Sequence, residues 1–158
     1  MFYTSPTRGR LTAEEMFADM MQFIEANPDA RYKVIIGSDS QARVRTCFVT
    51  AIIIHQVGRG ARYYYFKRYQ RKITSLRQKI FYETALSLET ASFIAQQLAA
   101  HGHPELNLEI HLDIGPNGDT KELIREIVGM VVGSGFDAKI KPYSCGASKV
   151  ADKYTKSG

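Results

Sequence analysis

Apolar positions along the chain change their period several times, and each change marks an element. Thr12-Ala13-Glu14-Glu15 is a capping box, with Leu11 and Met16 at the two positions of a hydrophobic staple. Met16, Met20, Phe23 and Ile24 then recur at helical spacing until Asn27-Pro28 ends the run, which predicts an N-terminal helix. Tyr32 to Asp39 reads as a buried strand that turns polar at Gly37-Ser38-Asp39. Thr46 to Gln56 is a second strand, centred on Val49-Thr50-Ala51-Ile52-Ile53-Ile54. Gly58-Arg59-Gly60 makes a turn, and Arg62 to Tyr69, rich in tyrosine, is a third strand and hairpin partner of the second.

A long helix follows Ser75-Leu76-Arg77-Gln78, a second capping box. Its apolar positions are Ile80, Leu88, Ala91, Ile94, Ala95 and Leu98, and it stops before Gly102 and Pro104. Leu106 to Asp113 is a fourth strand, with Leu108, Ile110 and Leu112 on one face and Glu109, His111 and Asp113 on the other. Gly115-Pro116-Asn117-Gly118 turns into a helix capped by Asn117 or Asp119, which runs through Leu123, Ile124, Ile127, Val128 and Val131. Phe136 to Lys141 is a short fifth strand, and a small terminal helix begins near Ala147 and carries Asp152. Three sequential strands followed by strand–helix alternation predict an α/β fold. Its mixed five-stranded sheet is antiparallel across the first three strands, parallel afterwards and flanked by helices. No linker or repeat divides the chain, so residues 1–158 read as one domain, with a helical extension over 1–30 and a core over 31–158.

Composition narrows the function classes. Apolar residues make up 44% and charged residues 23%, an ordinary globular balance. The longest apolar run, Val49 to Ile54, is far below the roughly 20 residues that span a bilayer, so no membrane partner is expected. The N-terminal residues lack the apolar core of an export signal. Cys47 and Cys145 form no CxxC pair, which suits reduced thiols in the cytoplasm. No pattern calls for a haem or a flavin. The net charge of +5 favours a polyanionic partner, RNA or DNA.

The chemistry lies in the acids. Asp39 and Asp113 each end an apolar strand where the sequence turns polar, and such strand ends meet at the ligand-binding edge of an open α/β sheet. Two carboxylates brought together repel unless a cation bridges them, which points to Mg²⁺ or Mn²⁺ with oxygen ligands. Each aspartate taken alone also suits a turn, Asp39 before Ser40 and Asp113 before Gly115.

The order of acids on elements resembles that of ribonuclease H-like nucleases: a strand Asp39, a helix glutamate, a strand Asp113 and a final-helix Asp152. The chain is also similar to the bacterial YkuK family, regarded as ribonuclease H-related. The resembling segments are Ser5-Pro6-Thr7, Ile36-Gly37-Ser38-Asp39-Ser40-Gln41, Thr50-Ala51-Ile52-Ile53-Ile54-His55, Gly118-Asp119-Thr120-Lys121 and Val150-Ala151-Asp152-Lys153. The helix acid is Glu83 or Glu89. Glu83 opens the buried stripe of Leu86, Ala91 and Ile94, as the layout requires, whereas Glu89 aligns with Phe93, Gln96 and Gln97 on a more polar face. The resemblance implies two-metal hydrolysis of phosphodiester bonds. Asp39 would bridge the ions, Glu83 and Asp113 would bind one or both, and Asp152 would complete the second.

Ser38, Ser40 and Gln41 are candidates for positioning acids or substrate, and equally for turn residues. Lys149 and Lys153 flank Asp152 and suit the scissile phosphate. His111 is a candidate proton shuttle or a half-buried structural histidine. Arg59, Arg62, Lys67, Arg68, Arg71, Lys72, Arg77 and Lys79 crowd a stretch interleaved with tyrosines. That suits either a base-stacking nucleic-acid surface or a charge-protected edge hairpin. The loop Gly115 to Lys121 opens a helix, a ready anion site without the P-loop pattern. Three functions therefore stand: a metal-dependent nuclease, a catalytically silent nucleic-acid-binding or regulatory module, and a phosphate or nucleotide sensor using that loop.

Overall fold

The computed structural model describes residues 1–116, 118–144 and Tyr154. Among these the chain forms strands β1 (Phe2–Ser5) and β2 (Gly9–Thr12), helix α1 (Ala13–Glu25), and strands β3 (Tyr32–Ala42), β4 (Arg45–Gln56) and β5 (Gly60–Arg71). Helix α2 (Leu76–Ala100), strand β6 (Asn107–His111), helix α3 (Ile124–Gly133) and strand β7 (Asp137–Lys139) follow. The fold is α/β with one mixed sheet of order β2-β1-β5-β4-β3-β6-β7. β3, β4 and β5 run antiparallel, and β6 and β7 are parallel additions on the β3 side.

The sheet has seven strands rather than the five read from the sequence. The two extra strands form a short hairpin ahead of α1 that pairs with β5 through Thr4 and Tyr65. Its strands are four residues each, and only Tyr3, Ser5 and Leu11 are buried, so their alternation is too short to register as a pattern.

α1 starts where the capping box predicts. Thr12 Oγ1 accepts from the Glu15 amide at 3.1 Å and Glu15 Oε1 from the Thr12 amide at 2.9 Å. Only one half of the second box forms: Ser75 Oγ accepts from the Gln78 amide. α3 is entered through a single 3₁₀ turn, Lys121–Leu123, without a side-chain cap. The terminal helix expected near Ala147 lies outside the described residues.

Alternation along the strands divides the sheet into two faces. Val34, Ile36, Ile52, Ile54, Tyr64, Phe66, Leu108 and Ile110 join the buried faces of α1, α2 and α3 in one large core, so all three described helices share one face. On the other face, Ile35, Cys47, Val49, Ala51 and Ile53 form a smaller apolar cluster under Tyr63, Tyr65 and Tyr154. β4 lies between β5 and β3 with both faces covered, which explains its unbroken apolar run. Each fully buried isoleucine of this strand contributes about 1.5–3 kcal/mol.

α1 is tied down by a buried carboxylate. Asp19 accepts from Tyr64 Oη at 2.5 Å, from Arg8 Nε at 3.0 Å and from Arg62 Nη1 at 3.1 Å. Arg62 is thus used inside the fold.

Candidate functional site

β3 is apolar over Val34-Ile35-Ile36 because it is central, and polar over Ser38 to Gln41, where it runs past the ladder with β6 while still packed on α2. Its parallel ladder with β6 pairs Gly37 with His111. Carried two residues further, that register sets Asp39 beside Asp113, at the same ends of neighbouring strands. Past β6 the backbone stays tied to the β7 side by Leu112 N–H to Lys139 O and Lys141 N–H to Ile114 O, both 2.8 Å. Asp113 therefore stands on a held segment and not on a free loop.

α2 supplies the third acid. Ser38 Oγ lies 2.8 Å from Ser87 Oγ of α2 and 2.8 Å from Thr50 Oγ1 of β4, a buried hydroxyl chain that fixes the helix on the sheet. One turn earlier, Ser40 Oγ donates to Glu83 Oε2 at 2.5 Å. Burial pushes the Glu83 carboxyl up to about 8, and the charges of Asp39 and Asp113 add to the rise. The Ser40 bond and Lys79 oppose it. Glu83 and Asp113 line one small cleft with Ser38, Thr84, Ser87 and His111.

By strand alternation Ser38 and Ser40 point toward α2, and Asp39 points to the other face. Asp39 and Glu83 thus approach the end of β3 from opposite sides. This spread accounts for a further fact: among the described residues, no three acids, histidines or cysteines group closely enough to hold an ion.

Lys141, just beyond β7, places Nζ 2.8 Å from Asp113 Oδ1. Hydrogen bonding to Asp113, its charge and that of Asp39 raise the lysine pKa. Gly115 makes this approach feasible, because a Cβ there would lie 2.9 Å from Lys141 Cβ. The sequence reading missed Lys141; the available signal was a lysine ending the strand next to the one that carries Asp113.

Of the remaining candidates, Glu89 is exposed and lines a separate hollow with Tyr3, Phe66, Arg68 and Phe93, away from the aspartates. Ser38 is buried in the strand–helix contact, and Gln41 sits partly buried further along β3. His111 is 5% exposed, with Nε2 3.1 Å from Glu109 Oε1, whose other oxygen meets Lys33 Nζ at 3.0 Å. Burial pushes Glu109 up, but the bonds from Lys33 and His111 outweigh it and hold the carboxyl below its ordinary value. Burial lowers the His111 pKa against the pull of Glu109, and Nδ1 has no hydrogen-bond partner among the described residues. In the Gly115 to Lys121 loop the Thr120 hydroxyl is taken by the Gly115 amide at 3.2 Å. Asp152, Lys149 and Lys153 lie outside the described residues, as does Asn117. No described helix is long and apolar enough to cross a membrane.

Comparison with known proteins agrees with this layout. The family model described as Ribonuclease H-like matches residues 15–156. The chain is 36% identical over 174 aligned positions to the uncharacterized protein YkuK of Bacillus subtilis (strain 168), covering 99% of this chain and 97% of that protein. The chain, with one acid on its central strand, another just past the end of the parallel neighbour and a third on the packed helix, thus belongs to the ribonuclease H-like family, within the YkuK group.

Proposed function

We propose that this protein is a divalent-metal-dependent nuclease that hydrolyses phosphodiester bonds in RNA or DNA at the edge formed by Asp39, Glu83 and Asp113. The observation that carries the reading is geometric: the β3–β6 register sets Asp39 beside Asp113, and Ser40 of the same strand holds Glu83 of the packed helix. A fold keeps such a combination at a cost unless a cation discharges it.

The chemistry of the donors suits Mg²⁺ or Mn²⁺, while among the described residues no three of them lie close enough together to hold an ion. Their oxygens are hard carboxylate donors, and a few of them leave the remaining positions to water and phosphate oxygens. When bound, such ions supply Lewis-acid stabilisation of the phosphate charge and activation of the attacking water. Asp39 and Asp113 would be the principal ligands and Glu83 the third. Asp152, in the C-terminal segment, would be the fourth. Ser40 holds the Glu83 carboxylate in one orientation by its hydrogen bond. Lys141 offsets the charge of Asp113 and stands at the rim where a phosphate approaches.

The test is incubation with RNA, DNA and hybrid duplexes in Mg²⁺ or Mn²⁺, beside the Asp39→Asn and Asp113→Asn variants. Ion-dependent cleavage that falls at least about 100-fold in each variant, about 2.7 kcal/mol of transition-state stabilisation, is expected. Cleavage that survives both substitutions contradicts the reading.

A second reading, a binding module with the fold but not the chemistry, is favoured by one observation: the Lys141 ammonium already neutralises Asp113. It predicts salt-sensitive nucleic-acid binding with no cleavage under any ion.

A further inference from the structure

The ladders of β3, β4 and β5 sort the crowded cations of β5 by face. Asp39 pairs with Val49 and Val49 with Lys67, so these three form one row across the sheet and point the same way. The next row on that face is Gln41, Cys47 and Tyr69, and beyond it Arg45 pairs with Arg71. Lys67 is two strand spacings from Asp39, about 10 Å, and Tyr69 is one pleat further, about 7 Å.

Four of the other cations are placed elsewhere. Arg62 bonds Asp19 on the helical face, Arg68 lies over Phe66, and Arg77 pairs with Glu126. Arg59 sits in the β4–β5 turn, about 24 Å along β4 from the row of Asp39. Of the β4 and β5 cations, Arg45, Lys67 and Arg71 share the face of Asp39.

Tyr69 is 42% exposed, and the Arg45 guanidinium lies 4.7 Å from its ring centroid. The inner part of this face differs: Tyr65 stacks on Tyr154 at 3.8 Å, and Tyr63 Oη lies 3.1 Å from Tyr154 Oη. An exposed ring pinned by a cation, with further cations in the adjacent rows, matches how single strands are held, by bases on aromatics and phosphates on cations. A duplex keeps its bases paired and stacked and would leave Tyr69 without a partner.

We propose that the surface of Lys67, Tyr69, Arg45 and Arg71 is an entry track for single-stranded nucleic acid, leading its backbone to Asp39. The track rests on the nuclease reading for its purpose, but its binding is measurable without catalysis.

The experiment is fluorescence anisotropy of a labelled 12-nucleotide single strand, and of its duplex, with the full chain in EDTA at several salt concentrations. The single strand is expected to bind more tightly than the duplex. Tyr69→Ala should weaken it about tenfold or more, the effect of one lost base stack, while Tyr69→Phe retains affinity. Arg45→Gln and Arg71→Gln should each lower the salt slope by about 0.7, and Arg59→Gln should leave it unchanged. Equal or tighter duplex binding overturns the proposal, as does unaltered affinity in a folded Tyr69→Ala or an Arg59→Gln loss equal to that of Arg45→Gln. Expected binding without cleavage in Mg²⁺ or Mn²⁺ supports the track and sinks the nuclease reading. Cleavage indifferent to Tyr69→Ala does the reverse.

Discussion

Lys141 reaches from the end of β7 to set its ammonium 2.8 Å from Asp113 Oδ1, the position from which a divalent ion would also draw on that carboxylate. On the nuclease reading the two cations would compete. Lys141 is 58% exposed and Asp113 37%, so the ion pair is a screened one, worth about 0.2–1 kcal/mol. Lys141→Met should therefore tighten Mn²⁺ binding by about two- to fivefold in calorimetric titration without nucleic acid. Unchanged or weaker binding would show that the lysine does not occupy the ion's place.

Glu83 makes stability fall with rising pH when no divalent ion is present. Its folded-state value of about 8 lies above the ordinary 4.5, so between these limits the folded chain binds a proton that the unfolded chain has lost. Stability is full below about 4.5, declines through the window and levels off above about 8. Denaturant titrations in EDTA at pH 5, 6.5 and 8 should show this decline in the wild type relative to Glu83→Gln. Saturating Mn²⁺ should shrink the difference by favouring the ionised form. Parallel wild-type and variant curves would remove Glu83 from the charged site.

The Asp19 network should matter to the fold and not to the chemistry. Asp19→Ala strands Tyr64 Oη and removes the shared partner of Arg8 and Arg62. A loss of about 3 kcal/mol, tempered by the partial exposure of both arginines, lowers Tm by about 6–12 °C. Turnover measured well below the transition should not change. A variant that melts normally but has lost activity would place α1 closer to the site than it stands.

The contrast between these regions explains what could be read in advance. α1 was legible because Thr12 and Glu15 announce its start and its apolar positions repeat over 13 residues. β3 and β4 were legible because central strands are long and apolar, and the change at Ser38 marked where β3 runs past its ladder with β6. The N-terminal hairpin was not, because Phe2–Ser5 and Gly9–Thr12 take their stability from the edge of β5, a partner about 60 residues away in sequence. The site divides in the same way. Asp39 and Asp113 were picked out where apolar runs turn polar, although β3 continues past Asp39 to Ala42, and Glu83 was picked out by its place on the buried stripe. Lys141 and the Glu109–His111–Lys33 group depend on which strands become neighbours, a tertiary fact that no local period encodes.

The account depends on Asp39 and Asp113 sharing a divalent ion at the end of adjacent strands. The most direct measurement is anomalous diffraction at the manganese edge from crystals grown with Mn²⁺. A peak at coordination distance, about 2.1 Å, from carboxylate oxygens of both Asp39 and Asp113 is the predicted result. A map with no peak at that edge, in crystals where the two carboxylates are ordered and the Lys141 pair is intact, would contradict it.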